Sequence, residues 1–250
     1  MKYRNALRWA LVAVYGLFWA GGIVSYMVWG TPPEDAAWAA PLFLLLAGLV
    51  VLAWAEPRDM PAILGAGLIG YAAEIPGSHL GVPFGHYDYT QVLFPHLFGV
   101  PLVLIAAWLI LIAYVRDMLQ PLERRPLPFA LWGAAWMTVI DLVIDPLAGG
   151  PLNYWVWERD GWYYGIPWTN FAGWFAVSLV ILLVFRRPWR PNAAARWVGL
   201  SVIAFFGLIA LAQGYWGPLA IALGLTALHF GLLAKPGAFQ SYLRPTEPTA

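Results

Sequence analysis

The sequence predicts an all-α, polytopic membrane protein: a bundle of about eight transmembrane helices with two Gly/Pro-rich re-entrant or capping loops on the outer side. Three observations carry that prediction. The chain is 61% hydrophobic and only 11% charged, far from the roughly 25% charged of a soluble domain. Its apolar runs approach the ~20 residues that a spanning helix needs. Its basic residues fall almost entirely on one side of such a bundle, the pattern that orients membrane proteins.

The spans read, in order, as residues 6–29, 37–55, 60–74, 96–115, 127–145, 167–185, 196–213 and 216–234. The first follows Lys2, Arg4 and Arg8 much as a signal peptide would. Its apolar run is too long, however, and no small-residue cleavage site follows it, so it reads as a retained helix. The third is short and ends in Glu74-Ile75-Pro76. With the N-terminus inside, 13 of the 14 Lys and Arg residues lie in inner segments, leaving Arg159 outside. Dropping one span would scramble that segregation. Both termini are therefore expected in the cytoplasm of a protein in the cell (inner) membrane. Residues 1–236 are expected to form a single transmembrane domain, and 237–250 a short polar tail.

Composition also excludes some chemistry. A net charge of +1 leaves no electrostatic footprint for nucleic acid. The absence of cysteine removes disulfides, thiol nucleophiles and Cys-based metal sites. The inner loops are short and basic, and read as topology anchors.

The outer side is different. Residues 74–90 and 145–171 are broken by Gly and Pro, aromatic and sparsely charged. Irregular backbone at membrane depth persists only where it lines a cavity or is buried in protein. Both segments are thus expected to close the outer mouth of one pocket.

Three carboxylates stand at that end. Glu74 lies 13 residues after Pro61 and Asp141 lies 13 after Pro128. At 1.5 Å per residue, both sit about 20 Å from the inner face of a core ~30 Å thick. Asp145 follows Asp141 by four residues, on the same helix face. Intramembrane acids are costly and mark function by default; the plain alternative is a structural contact to broken-helix amides, or for Asp145 a turn cap. His79, His86 and Asp88 invite a metal, but they lie in a glycine-rich loop without a helical frame, so no metal is expected. His96 and His229 read as helix histidines with structural partners. Many of the 16 Trp and 12 Tyr residues suit an interfacial belt. The cluster Tyr154, Trp155, Trp157, Trp162, Tyr163, Tyr164, Trp168, Phe171 and Trp174 suits an aromatic cleft better, and ring faces attract cations.

A neutral carboxylic acid in an aromatic, water-poor pocket is equipped to protonate an unactivated carbon–carbon double bond, since burial disfavours the charged form. Addition to a trisubstituted alkene gives a tertiary carbocation. A second carboxylate that positions water turns this into hydration, and exclusion of water turns it into cyclisation.

At these residues the chain resembles the CruF-type membrane carotenoid hydratases. The resemblance rests on residues 74–89 with their Pro-Phe-Gly-His-Tyr-Asp-Tyr core and on Gly99-Val100-Pro101. It continues through Asp141-Leu142-Val143-Ile144-Asp145-Pro146, Trp155-Val156-Trp157 and residues 164–174. It covers about residues 70–185. It implies addition of water across the terminal C1–C2 double bond of an acyclic (psi) carotenoid, giving a tertiary 1-hydroxyl, with no metal, redox or other cofactor. The substrate would be a lipid-dissolved carotenoid among membrane lipids, and a downstream carotenoid-modifying enzyme is a candidate partner. Asp141 or Glu74 would donate the proton and the other would position water. Asp145 would tune them, and Asn170 with Tyr87 would hold the water. Substrate contacts are expected from His79, Phe84, His86, Tyr87, Asp88, Trp155, Trp157, Tyr164, Asn170 and Trp174.

Two rival readings stay open. A lycopene-cyclase-like enzyme would use the same protonation, and Pro32-Pro33-Glu34-Asp35 faintly resembles an acidic motif of small membrane cyclases. A proton-coupled transporter or carotenoid carrier would also use intramembrane acids, although no convincing two-fold repeat supports it.

Overall fold

A computed structural model describes residues 2–33, 36, 38–158 and 161–235. The expected tail, Glu34, Asp35 and Arg159 lie outside the described residues. Eight helices appear: α1 (Lys2–Trp29), α2 (Ala39–Trp54), α3 (Met60–Leu80), α4 (Leu104–Leu119), α5 (Pro126–Ala148), α6 (Trp168–Val184), α7 (Ala193–Gln213) and α8 (Trp216–Leu233). Short strands interrupt them: β1 (Tyr87–Tyr89), β2 (His96–Leu97), β3 (Val100–Pro101) and β4 (Trp155–Trp157). The protein is an all-α membrane helix bundle. Four helices are by themselves long and apolar enough to cross a membrane: α1 from Asn5, α5, α7 and α8.

Helix α4 is the axis of the bundle. Fourteen of its 16 residues are buried, as expected of a helix that is apolar all round. It packs against α2, α3, α5 and α7, while α6 and α8 flank α5, and α1 lies outside against α2 and α7. Close approach depends on glycine, the usual device where lipid supplies no hydrophobic drive between helices. A Cβ on Gly70 of α3 would come within 2.2 Å of the Trp108 ring on α4. Apolar side chains are left exposed around the outside of the bundle, among them Leu17 on α1, Leu49 on α2, Leu68 on α3, Val180 on α6 and Leu223 on α8.

Three expected boundaries move. Helix α3 does not stop at Glu74 but runs through Pro76 to Leu80, ending on Gly81 in the left-handed conformation (φ 71°). The fourth helix starts at Leu104 rather than residue 96, because His96–Leu97 and Val100–Pro101 first pair as a small antiparallel hairpin. Likewise α5 passes through Pro146 to Ala148. A proline ring removes one helical donor and orphans the carbonyl four residues earlier. In α5 that carbonyl belongs to Leu142, and the Tyr163 hydroxyl donates to it at 2.9 Å. The helix therefore continues with its backbone satisfied from outside.

The two irregular segments meet. Strands β1 and β4 pair antiparallel with Tyr87 opposite Trp157, Asp88 opposite Val156, and Tyr89 opposite Trp155. Alternation along each strand sends the four aromatic rings inward, while Asp88 and Val156 are exposed. Two segments distant in sequence thus make one roof over the ends of α3 and α5.

Candidate functional site

Beneath the roof lies a cavity of about 80 Å³, bounded by α2, α3, α4, α5, α6 and α7 and by both strands of the ribbon. Its wall is almost entirely apolar or aromatic. Two carboxyls reach it, those of Glu74 and Asp145.

Glu74 is buried on the last third of α3 and accepts three hydrogen bonds. The Tyr87 hydroxyl donates to Oε2, the Tyr89 hydroxyl donates to the same oxygen at 3.0 Å, and the Trp108 indole N–H donates to Oε1 at 3.0 Å. The Tyr87 and Tyr89 hydroxyls are pushed well above the usual tyrosine range, first by burial and then by the charge of Glu74. Both therefore remain donors. Three donors thus converge on one buried carboxyl and occupy both of its oxygens.

Asp141 and Asp145 stand one turn apart on the face of α5 that meets α6. Asn170, in the first turn of α6, sits between them. Its amide donates to Asp141 Oδ2 at 2.7 Å and to Asp145 Oδ2 at 2.5 Å. The Trp155 indole donates to Asp145 Oδ1 at 2.7 Å. Asp141 Oδ1 is buried without a hydrogen-bond partner among the described residues. None of the ion pairs among the described residues involves any of these three acids. The positive end of the α6 dipole is the nearest electrostatic compensation that the backbone offers.

Aromatic rings close the space. Trp108 and Trp174 stack with centroids 4.5 Å apart and planes 19° apart. Trp157 lies 5.0 Å from Tyr87. Phe43, stacked on Phe205 at 5.0 Å, also lines the cavity, as do Val202 and Phe206.

Of the residues singled out in the sequence, Glu74, Tyr87, Asp145, Trp155, Trp157, Asn170 and Trp174 line this cavity. Asp141 stands one layer behind its wall, fully buried, so the cavity pairs Glu74 with Asp145 rather than with Asp141. Phe84 is also behind the wall, packed against Tyr87 and Trp108. Of the aromatic cluster, Tyr154 also lines the cavity, whereas Trp162, Tyr163, Trp168 and Phe171 do not; four of the expected substrate contacts lie elsewhere too. His79 is exposed at the end of α3, with Nε2 bonded to the Phe98 carbonyl at 3.0 Å. His86 and Asp88 are exposed on the ribbon, because alternation turns Asp88 away when Tyr87 and Tyr89 face in. Tyr164 stacks on Tyr215 at 5.2 Å, and its hydroxyl accepts from the Gly217 amide at 3.1 Å, tying the outer segment to α8. Sequence reasoning missed Tyr89, Trp108, Phe43 and Phe205 as site residues. Period-two alternation from Tyr87 points to Tyr89; nothing distinguishes Trp108 or the phenylalanines from ordinary core.

A membrane helix bundle with a roofed, ring-lined cavity that two carboxyls reach defines a class: an integral membrane protein with a buried acidic site. The chain belongs to the carotenoid biosynthesis protein family, whose model matches residues 39–229, from the start of α2 into α8. Those residues include every side chain of the cavity. The chain is also 31% identical over 151 residues to the bisanhydrobacterioruberin hydratase of Haloarcula japonica, covering 56% of this chain and 48% of that protein. It therefore spans about half the length of that curated relative. No solved structure matches it.

Proposed function

We propose that this protein is a carotenoid hydratase, a cofactor-independent hydro-lyase acting on the terminal C1–C2 double bond of an acyclic carotenoid end group. The observation that carries the reading is the pair of unlike carboxyls in one apolar cavity. Glu74 is ringed by donors, whereas Asp145 shares a single amide with a second buried acid.

In this mechanism the Asp141–Asp145 pair holds the proton. Two carboxyls on adjacent turns with no cation at hand repel each other as anions, so a proton resides on the pair. Asp145, which faces the cavity, gives its proton to C2. The π electrons form the new C–H bond and leave a tertiary cation at C1. Trp155, Trp157 and Tyr87 present rings to that charge. A water oxygen adds to C1, and its surplus proton passes to the Glu74 carboxylate, leaving a tertiary alcohol. The cycle closes when that proton returns to Asp145 through water. Charge complementarity of this kind, preset in a dry site, is ordinarily the largest part of a rate enhancement. The lipid-dissolved substrate reaches the cavity from the membrane, with both termini of the protein on the cytoplasmic side. The alcohol is then available to a downstream carotenoid-modifying enzyme.

The test is expression in a host that makes lycopene and gamma-carotene, followed by mass analysis of the pigments. The expected product is heavier than its precursor by one water. Unchanged pigments beside a folded, membrane-inserted protein would overturn the reading, and an isomer of unchanged mass would reassign the site to cyclisation.

A further inference from the structure

At the end of the bundle opposite the ribbon, helix α4 finishes in three buried or half-buried polar residues: Arg116, Asp117 and Gln120. Two of them are fully engaged. Asp117 pairs with Arg196 at 2.9 Å and accepts the Asn192 amide at 2.7 Å. The side-chain amide of Gln120 donates to the Trp189 carbonyl at 2.7 Å and accepts the Trp189 amide at 2.9 Å. The other acids here are also held. Asp59 accepts the Arg190 amide at 2.7 Å and lies 3.6 Å from Arg58. Glu123 is gripped by Arg125 at 2.8 and 3.1 Å. Glu56 is exposed.

Arg116 is the exception. It is only 2% exposed, and its guanidinium lies between the Trp189 ring at 4.2 Å and the Phe129 ring at 5.1 Å. Nη2 donates to the Arg187 carbonyl at 2.8 Å. Nε and Nη1 are buried without a hydrogen-bond partner among the described residues. Asp59 acts on it through space, but no ion pair joins the two. A buried cation with idle donors is expensive, and the two rings beside it offer no hydrogen-bond acceptor to Nε or Nη1. Beside it opens a pocket of about 240 Å³, walled chiefly by Arg116, Gln120, Glu123, Arg124, Phe129 and Arg186; the one carboxylate in that wall, Glu123, is already held by Arg125. Arg124 and Arg186 are exposed at its rim.

We infer that this pocket binds a phosphate group, with Arg116 as the inner donor and Arg124 and Arg186 closing on it from the rim. Three converging arginines suit the several acceptor oxygens of a phosphate. Basic pockets between helices at the cytoplasmic level of a bilayer meet lipid headgroups. The same chemistry is offered by an anionic lipid headgroup and by soluble phosphate.

The test uses the whole protein in nanodiscs of phosphatidylcholine, read by its melting temperature. One arm replaces part of the lipid with phosphatidylglycerol; the other adds inorganic phosphate against chloride at equal ionic strength. A rise of several degrees is expected in at least one arm. A rise confined to the lipid arm assigns the site to a headgroup; a rise with inorganic phosphate assigns it to soluble phosphate. The rise should disappear in the double variant Arg124→Gln, Arg186→Gln and in Arg116→Gln, and persist in Arg187→Gln, which removes a neighbouring charge outside the pocket. If Arg116→Gln does not fold, the double variant carries the test. No rise in either arm would overturn the inference. So would an equal loss in Arg187→Gln, which would make the effect diffuse surface charge.

Discussion

The Tyr163 hydroxyl satisfies the Leu142 carbonyl that Pro146 leaves orphaned in α5. Leu142 is the residue between Asp141 and the rest of the turn that leads to Asp145, so this bond fixes the backbone on which both acids stand. Burial, Tyr164 and Asp141 push the Tyr163 hydroxyl to about 12, which keeps it a donor at any working pH. Tyr163→Phe should cost about 1 kcal/mol for a part-buried acceptor left unmade, roughly 2–4 °C in melting temperature for a chain of this size. It should also slow hydration, although the hydroxyl touches no substrate. An unchanged rate would show that the geometry of α5 does not depend on it.

Among the described residues, Asn170 is the one side chain that hydrogen-bonds to both aspartates. Asn170→Leu keeps the approximate shape and removes both donors, each worth about 1.5–3 kcal/mol when the acceptor is charged. Asn170→Asp adds a third carboxyl. Both variants should lose hydration, and Asn170→Asp should be the less stable of the two. Pigment analysis reads the first expectation and thermal unfolding the second.

Separate substitutions sort the acids. Glu74→Gln and Asp145→Asn should each reduce hydration by at least a hundredfold, the usual scale for a general acid or base. Asp141→Asn, behind the wall, should fall less. Full loss in Asp141→Asn with activity retained in Asp145→Asn would reverse the roles assigned to the pair.

Alkaline stability should report on the roof. The folded protein holds the Tyr87 and Tyr89 protons more tightly than the unfolded chain does, whose tyrosines titrate near ~10. Their contribution is fully present below that pH and is lost as pH rises past it toward their folded values. Wild-type melting temperature should therefore fall above pH ~10 more steeply than that of the Tyr87→Phe, Tyr89→Phe variant. Equal slopes would argue against the Glu74 network.

Gly70 offers a test outside the cavity. Its missing Cβ leaves room for Trp108, which in turn donates to Glu74 and stacks on Trp174. Gly70→Ala should cost about 1–3 kcal/mol by overpacking and should reduce hydration through the displaced indole. Gly224→Ala, where nothing lies within 4 Å, should do neither.

Hydropathy and charge asymmetry made all eight helices legible, because lipid imposes length and apolarity on each. Three helix boundaries were not: Pro76 and Pro146 look like endings, and the hairpin before Leu104 looks like the start of the fourth helix. Whether a proline stops a helix depends on who satisfies the freed carbonyl, and Tyr163 does so for Leu142 from a distant loop. In the site, Glu74, Asp145, Asn170 and the Trp155/Trp157 pair were legible, being polar or aromatic where a bilayer disfavours or localises them. Trp108 and Phe205 were not, as aromatic residues inside apolar runs carry no local mark of the face they present. His86 and Asp88 misled for the opposite reason: their chemistry is suggestive, but strand alternation points Asp88 outward. The buried polar lattice around Arg116 looked like a plain basic loop.

Because β1, which carries two of the donors to Glu74, is completed as a ribbon only by pairing with β4, the site is finished late in biogenesis. While the ribosome is still short of Trp157, β1 has no partner strand, and Asp141 waits for Asn170 in the same way. Chains arrested between α5 and α6 should therefore be handed to quality control rather than persist as partly working enzyme.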